Sequence, residues 1–317
     1  MLEVAVLIPC FNEALTIEKV ISDCMECIKG YNAKIIVYDN NSTDGTGDLA
    51  KKNGAIVCHE YLRGKGNVIR RMFREIDADC YIMIDGDDTY CTDRIREMID
   101  MVLNRKVDMV VGDRLSSTYF TENKRRFHNF GNAAVRKAVN IIFGCNIRDI
   151  MTGLRAFSYN FVKTFPVLSQ GFEIETEMTI HAVHKNMFVE NCIVDYRDRP
   201  KGSESKLNTL SDGVKVISMI LRLFKNYRPF SFFTLLTTIC IAGAFSILIP
   251  TVLIPYAKTG LVEKFPTLIV CGFIIVAGLL SFFAGLILNT IIQKERREFE
   301  FRLQLISKQK VAERDIK

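Results

Sequence analysis

Residues Met83 to Tyr90 read MIDGDDTY, three carboxylates (Asp85, Asp87, Asp88) with no basic residue among them. Charges this close repel, so a fold gains nothing from crowding them unless something neutralises them. At a strand end, Asp85 and Asp87 can reach one divalent cation from the same side. Mg2+ is usually held by one or two carboxylates and completed by substrate phosphates, and Mn2+ suits the same oxygen ligands. The chemistry implied is binding of a cation together with a diphosphate. Alone, an Asp-x-Asp is also common in surface turns.

The elements that must position these groups are legible as an alternation. Val4–Pro9, Lys34–Asn40, Ala55–Glu60, Cys80–Asp85 and Val107–Arg114 are short apolar runs of strand length. Between them lie helical patterns at Ala14–Ile28, after Ser42–Thr46 with Ser or Asp as its cap, after Arg63–Asn67, and at Asp93–Leu103. Strands alternating with helices predict an α/β fold, a mixed, mostly parallel sheet with helices on both faces. Ligands of such sheets bind at the carboxyl ends of strands, where Asp39, Asp85 and Asp113 all fall. Further on come a basic-aromatic helix at about 118–145, a strand in LRAFS, a Glu-rich helix at Glu173–Lys185, a strand in FVENCIVDY and the loop RDRPKGSESK. A basic amphipathic helix can lie in a membrane interface; the alternative is an ordinary surface helix.

Hydrophobic residues make up 49% of the 317 and pile up after Ser231. Phe232–Pro250 and Phe265–Ile292 each reach the roughly 20 apolar residues that cross a bilayer. The alternative, two buried helices of a soluble core, would keep a polar stripe that these runs lack. Arg222, Lys225 and Arg228 before the first run, and Lys294, Arg296 and Arg297 after the second, predict both termini in the cytoplasm. Met1-Leu2-Glu3 has no basic n-region, so no signal peptide is expected. The expected organisation is a cytoplasmic catalytic domain over 1–207, an amphipathic juxtamembrane helix over 208–230, a transmembrane hairpin over 231–292 and a charged cytoplasmic tail over 293–317. Ten cysteines without paired metal-site spacing fit a reducing compartment. The net charge of +6 points to a negative membrane surface, and no nucleic-acid partner is expected. A homo-oligomer is left open.

Asp85-Gly86-Asp87 occurs with IPCFNE (Ile8–Glu13), DNNSTDGT (Asp39–Thr46), GKG (Gly64–Gly66), DIMTGLRAFS (Asp149–Ser158) and RPKGSESK (Arg199–Lys206). In this order the motifs resemble the family-2 glycosyltransferases of the GT-A fold. More narrowly, the chain is similar to the polyprenyl-phosphate glycosyltransferases, the group of dolichyl-phosphate mannose synthase and of bacterial relatives with a two-helix membrane tail. The resemblance implies transfer of a sugar from a UDP- or GDP-linked donor to a polyprenyl or dolichyl phosphate, with inversion, at the cytoplasmic membrane face. It implies that Pro9, Phe11, Glu13, Val37, Asp39, Lys65, Asp85, Gly86, Arg199 and Lys206 bind the nucleotide sugar, with Val37 beside the base. Gly64 and Gly66 would permit a tight backbone near the nucleotide. Asp85 and Asp87 would take the metal, Mg2+ or Mn2+; Thr89 stands where many relatives have a Gln ligand. Arg114, with Arg125 or Arg126, would hold the lipid phosphate. Asp149 would be an additional catalytic carboxylate; its alternative is a salt bridge to Arg148 or Arg155. Glu173 and Glu177 share a helical face and would position the sugar or cap the helix. Two other readings stay open: a membrane glycosyltransferase acting on a glycolipid or polysaccharide hydroxyl, and a non-catalytic nucleotide-sugar-binding scaffold.

Overall fold

The computed structural model describes residues 2–117, 126–171, 173–198 and 212–315. Arg125, Arg199 and Lys206 lie outside the described residues, and Arg126 is described only as the first residue of a helix. The expected alternation is present as β1 (Leu2–Cys10), α1 (Ile17–Cys27), β2 (Ala33–Asp39), α2 (Thr46–Lys52), β3 (Ile56–His59), α3 (Lys65–Glu75), β4 (Ala78–Met83), α4 (Ile95–Leu103) and β5 (Met109–Asp113). There follow α5 (Arg126–Phe143), β6 (Arg155–Ser158), α6 (Tyr159–Thr164), α7 (Ile174–His184) and β7 (Val189–Ile193). The short helix α6 carries no pattern strong enough to be expected; Ser158 caps it by accepting from the Phe161 N–H.

The strands form one seven-stranded sheet in the order β3-β2-β1-β4-β6-β5-β7. Every pairing is parallel except the two made by β6. Helices cover both faces, which is why the strands read as unbroken apolar runs: Val4 to Ile8 are all fully buried. Because β6 runs against its neighbours, its first residue, Arg155, pairs with Met83 and Val111 near the ends of β4 and β5. The segment entering β6 therefore arrives at the same rim as the loops leaving β1, β2, β4 and β5. The cap expected for α2 is absent in that form: its N-cap is Gly45 at φ 83°, with no side-chain cap. Asp44 instead bridges loops, accepting from the Ala14 N–H and the Thr46 N–H, each at 3.0 Å.

The chain divides into two compact units, 1–216 with 301–317, and 217–300. In the first, Lys310 reaches Asp79 at 2.8 Å and lies over the Tyr159 ring at 4.6 Å. The second is helical. Helix α8 (Asp212–Tyr227) leads into it, followed by α9 (Pro229–Leu248), a π-helical turn (Ile249–Leu253), α10 (Ile254–Thr259) and α11 (Phe265–Asp315). Pro250 and Pro255 lack the N–H of a regular ladder, and the irregular turn falls between α9 and α10 where they occur. Helices α9 and α11 approach closely: Thr237 Oγ1 donates to the Gly278 carbonyl at 2.9 Å, and a Cβ on Gly285 would meet Phe233 Cβ at 2.8 Å. Small residues at such contacts suit helix pairing in lipid. Only 17% of the apolar window in each long helix is buried within the chain, unlike the mostly buried core helix of a soluble protein. The tail expected after Ile292 continues as helix to Asp315.

Candidate active site

Loops at the carboxyl rim are stapled to one another by short polar side chains. Asn12, at φ 53°, accepts from the Thr43 N–H (2.8 Å), and Thr46 Oγ1 accepts from the Glu13 N–H (2.9 Å). Asn40 closes the neighbouring loop. Its amide donates to the carbonyls of Glu60 and Leu62, and its oxygen accepts from the Gly64 N–H at 2.8 Å. This delivers Lys65 to the start of α3. The two glycines flanking Lys65 are required by a protein contact: a Cβ on Gly64 would lie 2.2 Å from the Gln170 carbonyl oxygen, and one on Gly66 would lie 2.0 Å from that of Ser169. Their crowding partner is the 168–171 loop. Glu177 anchors that loop by accepting from the N–H groups of Leu168 and Ser169.

Each carboxylate of MIDGDDTY has a neutralising or ordering partner supplied by the fold. Lys65 Nζ donates to Asp85 Oδ1 and to Glu175 Oε1, both at 2.6 Å. Burial alone would lower the Lys65 pKa, but Asp85 and Glu175 outweigh it and hold the ammonium above its ordinary value. Asp87 is buried, and its Oδ1 accepts from Thr89 Oγ1 at 2.6 Å and from the Thr89 N–H at 3.2 Å. Thr89 thus orients Asp87. Asp88 sits at φ 56° and pairs with Lys19 at 2.6 Å. Gly153 faces Asp85 so closely that a Cβ there would lie 2.0 Å from Oδ2. The repulsion read from the sequence is met first by two lysines distant in the chain.

Arg114 and Asp149 are brought together. Arg114 Nε donates to Asp149 Oδ2 at 2.7 Å, and Nη2 donates to Oδ1 at 3.3 Å and to the Met151 carbonyl at 2.9 Å. The guanidinium lies over the rings of Tyr90 and Tyr196, at 5.7 and 5.6 Å. The partner of Asp149 is therefore Arg114, not Arg148 or Arg155; strand order, not chain proximity, decides it. Arg155 is fully buried and donates to the carbonyls of Ile150 and Thr152, to Thr179 Oγ1 and to Met109 Sδ, all uncharged. Burial lowers it to about 10, so it stays charged at neutral pH. Tyr90 Oη accepts from the Gly153 N–H at 2.6 Å. Two arginines and a tyrosine thus fix the 149–154 segment against Asp85.

Neighbouring strands lie about 4.8 Å apart, so β2 and β4 are separated by about 10 Å and β2 and β5 by about 19 Å. Asp39 and Asp113 cannot share an ion. Asp113 is sealed from solvent, 3.7 Å from Arg148 through an oxygen that makes no hydrogen bond, and it does not face a ligand. Asp39 accepts from the Ser42 N–H and lies 3.3 Å from His59 Nδ1. Val37 is fully buried among core side chains, so it supports the strand and offers no surface to a base. Pro9, Phe11 and Glu13 are half-buried at the end of β1, with the Arg63 guanidinium 5.4 Å from the Phe11 ring centre. Gly86 packs over Cys10, and its carbonyl accepts from Thr16 Oγ1 at 2.6 Å. Sequence reasoning missed Glu175 and Tyr90, and it gave Thr89 and Arg155 other roles.

Among the described residues, no three His, Cys, Asp or Glu form a ready metal cage. Asp85 and Asp87 offer two hard oxygen donors, a set that fits Mg2+ or Mn2+ when phosphates and water supply the rest.

A family model, Glycosyl transferase family 2, matches residues 5–165. The chain belongs to this family. Glycosyltransferase AglJ of Haloferax volcanii is 34% identical over 231 residues, 73% of this chain and 75% of that protein. Dolichyl-phosphate hexose transferase of the same organism is 25% identical over 221 residues, covering 70% and 93%. Among solved structures, glucosyl-3-phosphoglycerate synthase of Mycobacterium tuberculosis, in complex with Mn2+, UDP-glucose and phosphoglyceric acid, is similar with a TM-score of 0.54 at 20% identity, over 71% of this chain and 79% of that one. The mixed sheet is that of the GT-A fold, and the protein is a family-2 glycosyltransferase.

Proposed function

We propose that this glycosyltransferase moves a sugar from a UDP- or GDP-linked donor to the phosphate of a polyprenyl or dolichyl lipid, with inversion, at the cytoplasmic membrane face. The observation that carries this reading is the pairing of Asp85 and Asp87 at the rim of β4 in a chain that also has two exposed apolar helices of spanning length. A relative named for dolichyl-phosphate hexose transfer supports the acceptor class.

In this reading the nucleotide lies across the ends of β1 and β2, with Asp39 accepting hydrogen bonds from the base, and Phe11, Pro9 and Glu13 beside it. Asp85 and Asp87 hold a divalent cation, Mg2+ or Mn2+, which when bound offsets the charge on the departing nucleoside diphosphate. Thr89 keeps the Asp87 carboxylate aimed. Arg114 and Arg155 hold the 149–154 segment, and Asp149 neutralises Arg114. To grip a phosphate with its fork, Arg114 would have to give up Asp149 or Met151, so it acts through position and field while Arg125 and Arg126 meet the lipid phosphate. The acceptor is a phosphate monoester carrying close to two negative charges at neutral pH, its second pKa being about 6. It needs little help from a general base, and what the protein must supply is positioning and preorganised positive charge. Tethering by the apolar helices raises the effective concentration of a lipid acceptor.

The test is direct. Membranes containing the protein are incubated with polyprenyl phosphate, Mg2+ and a panel of labelled nucleotide sugars. Organic-soluble label that mild acid releases as free sugar is the expected product. Label that appears only in acid-stable glycoside favours a hydroxyl acceptor, and no transfer with any donor overturns the reading.

A further inference from the structure

The contact that answers the carboxylate crowding has a consequence for how the site fills. Lys65 is not a surface lysine leaning on a carboxylate. Its side chain is 9% exposed, Glu175 is 7% exposed, and Asp85 is 25% exposed. Three separate elements fix the arrangement: Asn40 and the 168–171 loop hold the start of α3, Gly153 walls in Asp85, and α7 carries Glu175. The ammonium therefore occupies the carboxylate that a divalent cation would need. The two cations compete for the same carboxylate, and both cannot sit within bonding distance of it without strong repulsion.

We infer that Lys65 is an internal counter-ion: it holds Asp85 closed until a nucleoside diphosphate arrives to take the ammonium over, so that metal and diphosphate each favour the binding of the other. The inference rests on the proposed nucleotide-sugar reading and adds an order of assembly and a role for Glu175. Glu175 is a positioning residue, the second carboxylate that shares the Lys65 ammonium with Asp85. When diphosphate oxygens accept the Lys65 hydrogen bonds, the Asp85 carboxylate is released to the cation; without diphosphate, Lys65 returns. By linkage, each ligand then raises affinity for the other by the same factor.

The test measures binding, not turnover, on the full chain in detergent or nanodiscs. Mn2+ binding is followed by paramagnetic resonance with and without UDP or GDP, and nucleotide binding by calorimetry with and without Mn2+. In the unaltered protein, nucleoside diphosphate should tighten Mn2+ binding about tenfold or more, within the usual range of coupling. In Lys65→Met, Mn2+ alone should bind about tenfold tighter, because its competitor is gone, and the coupling should shrink towards one. Glu175→Gln, nearly isosteric, should leave Mn2+ binding alone no tighter yet raise metal-free nucleotide affinity several-fold, because Lys65 has lost one anchor. These opposite signatures separate a latch from general damage, and Glu175→Gln serves if Lys65→Met does not fold. Unchanged or weaker Mn2+ binding by a folded Lys65→Met overturns the inference while leaving the glycosyltransferase reading intact. Failure of the unaltered protein to bind either nucleotide, even with Mn2+, overturns both.

Discussion

Replacing Gly153 by Ala should disable catalysis without unfolding the protein. The backbone at Gly153 lies outside the left-handed region, so alanine is not strained by conformation. The difficulty is one atom. The new Cβ would lie 2.0 Å from Asp85 Oδ2, 2.6 Å from Cγ and 2.9 Å from Oδ1, whereas real Cβ atoms essentially never come within 3.0 Å of a neighbour. The carboxylate must retreat by about 1 Å or more, through rotation of a short side chain. A shift of that size against the 2.6 Å bond from Lys65 breaks it or drags the lysine along. Misplacing a catalytic group by 1 Å costs on the order of 10²-fold, about 2.7 kcal/mol in the barrier. Gly66→Ala is the contrast. Its Cβ would meet the Ser169 carbonyl oxygen at 2.0 Å, and a backbone carbonyl cannot rotate away, so the 168–171 loop must lift. Transfer of labelled sugar and thermal unfolding, measured on both variants, decide the matter. Gly153→Ala should lose about 10²-fold in kcat/KM with nearly unchanged Tm, and Gly66→Ala should lower Tm. Full activity in a folded Gly153→Ala would refute the placement of Asp85 at the reacting centre.

Asp87→Asn should abolish metal-dependent transfer by on the order of 10²-fold while fold and membrane attachment survive, and Thr89→Val should cost about tenfold by loosening Asp87; transfer against Mg2+ concentration reads both. Asp149→Ala takes the carboxylate away from the buried Arg114 guanidinium, so it should destabilise by about 3–5 kcal/mol in calorimetry, with Asp149→Asn milder. The Asp44 carboxyl lies below its ordinary range: burial raises it, but hydrogen bonds from Thr46 and from the Ala14 N–H lower it further. Its folded pKa being depressed, its stabilisation is present above the unfolded pKa of about 3.9 and fades as pH falls through the folded value. Asp44→Asn should therefore lower Tm at neutral pH and converge on the unaltered protein below about pH 4, so that the acid limb of its Tm-against-pH curve is flatter.

The alternation of strands and helices was legible because a sheet covered on both faces needs continuous apolar strands, and the rim followed from strand ends. The place of the acidic motif, just after β4, was legible for the same reason. Its compensation was not, since Lys65 and Lys19 reach it across 20 and 69 positions. Helix α7 shows why Glu175 was passed over for Glu173 and Glu177. Ile174, Glu175, Thr176, Met178, Thr179, Ile180 and His181 are all buried, so the helix has no polar face whose phase would name the inward glutamate. Glu177, chosen by spacing, instead holds the loop that crowds Gly64 and Gly66. The salt-bridge alternative for Asp149 named chain neighbours, Arg148 and Arg155, because nothing local announces that β6 is inserted, reversed, between β4 and β5.

That reversal makes the chain unequal in what it tolerates. Extra residues before Arg155 would intrude on the rim that carries Asp85 and Arg114. Extra residues around Asp77 or Lys106, which precede parallel strands, would emerge at the opposite end of the sheet. An epitope or fluorophore placed at the Lys106 turn should thus report on the molecule without touching its chemistry, and lineages elaborating this scaffold have two distinct margins on which to write.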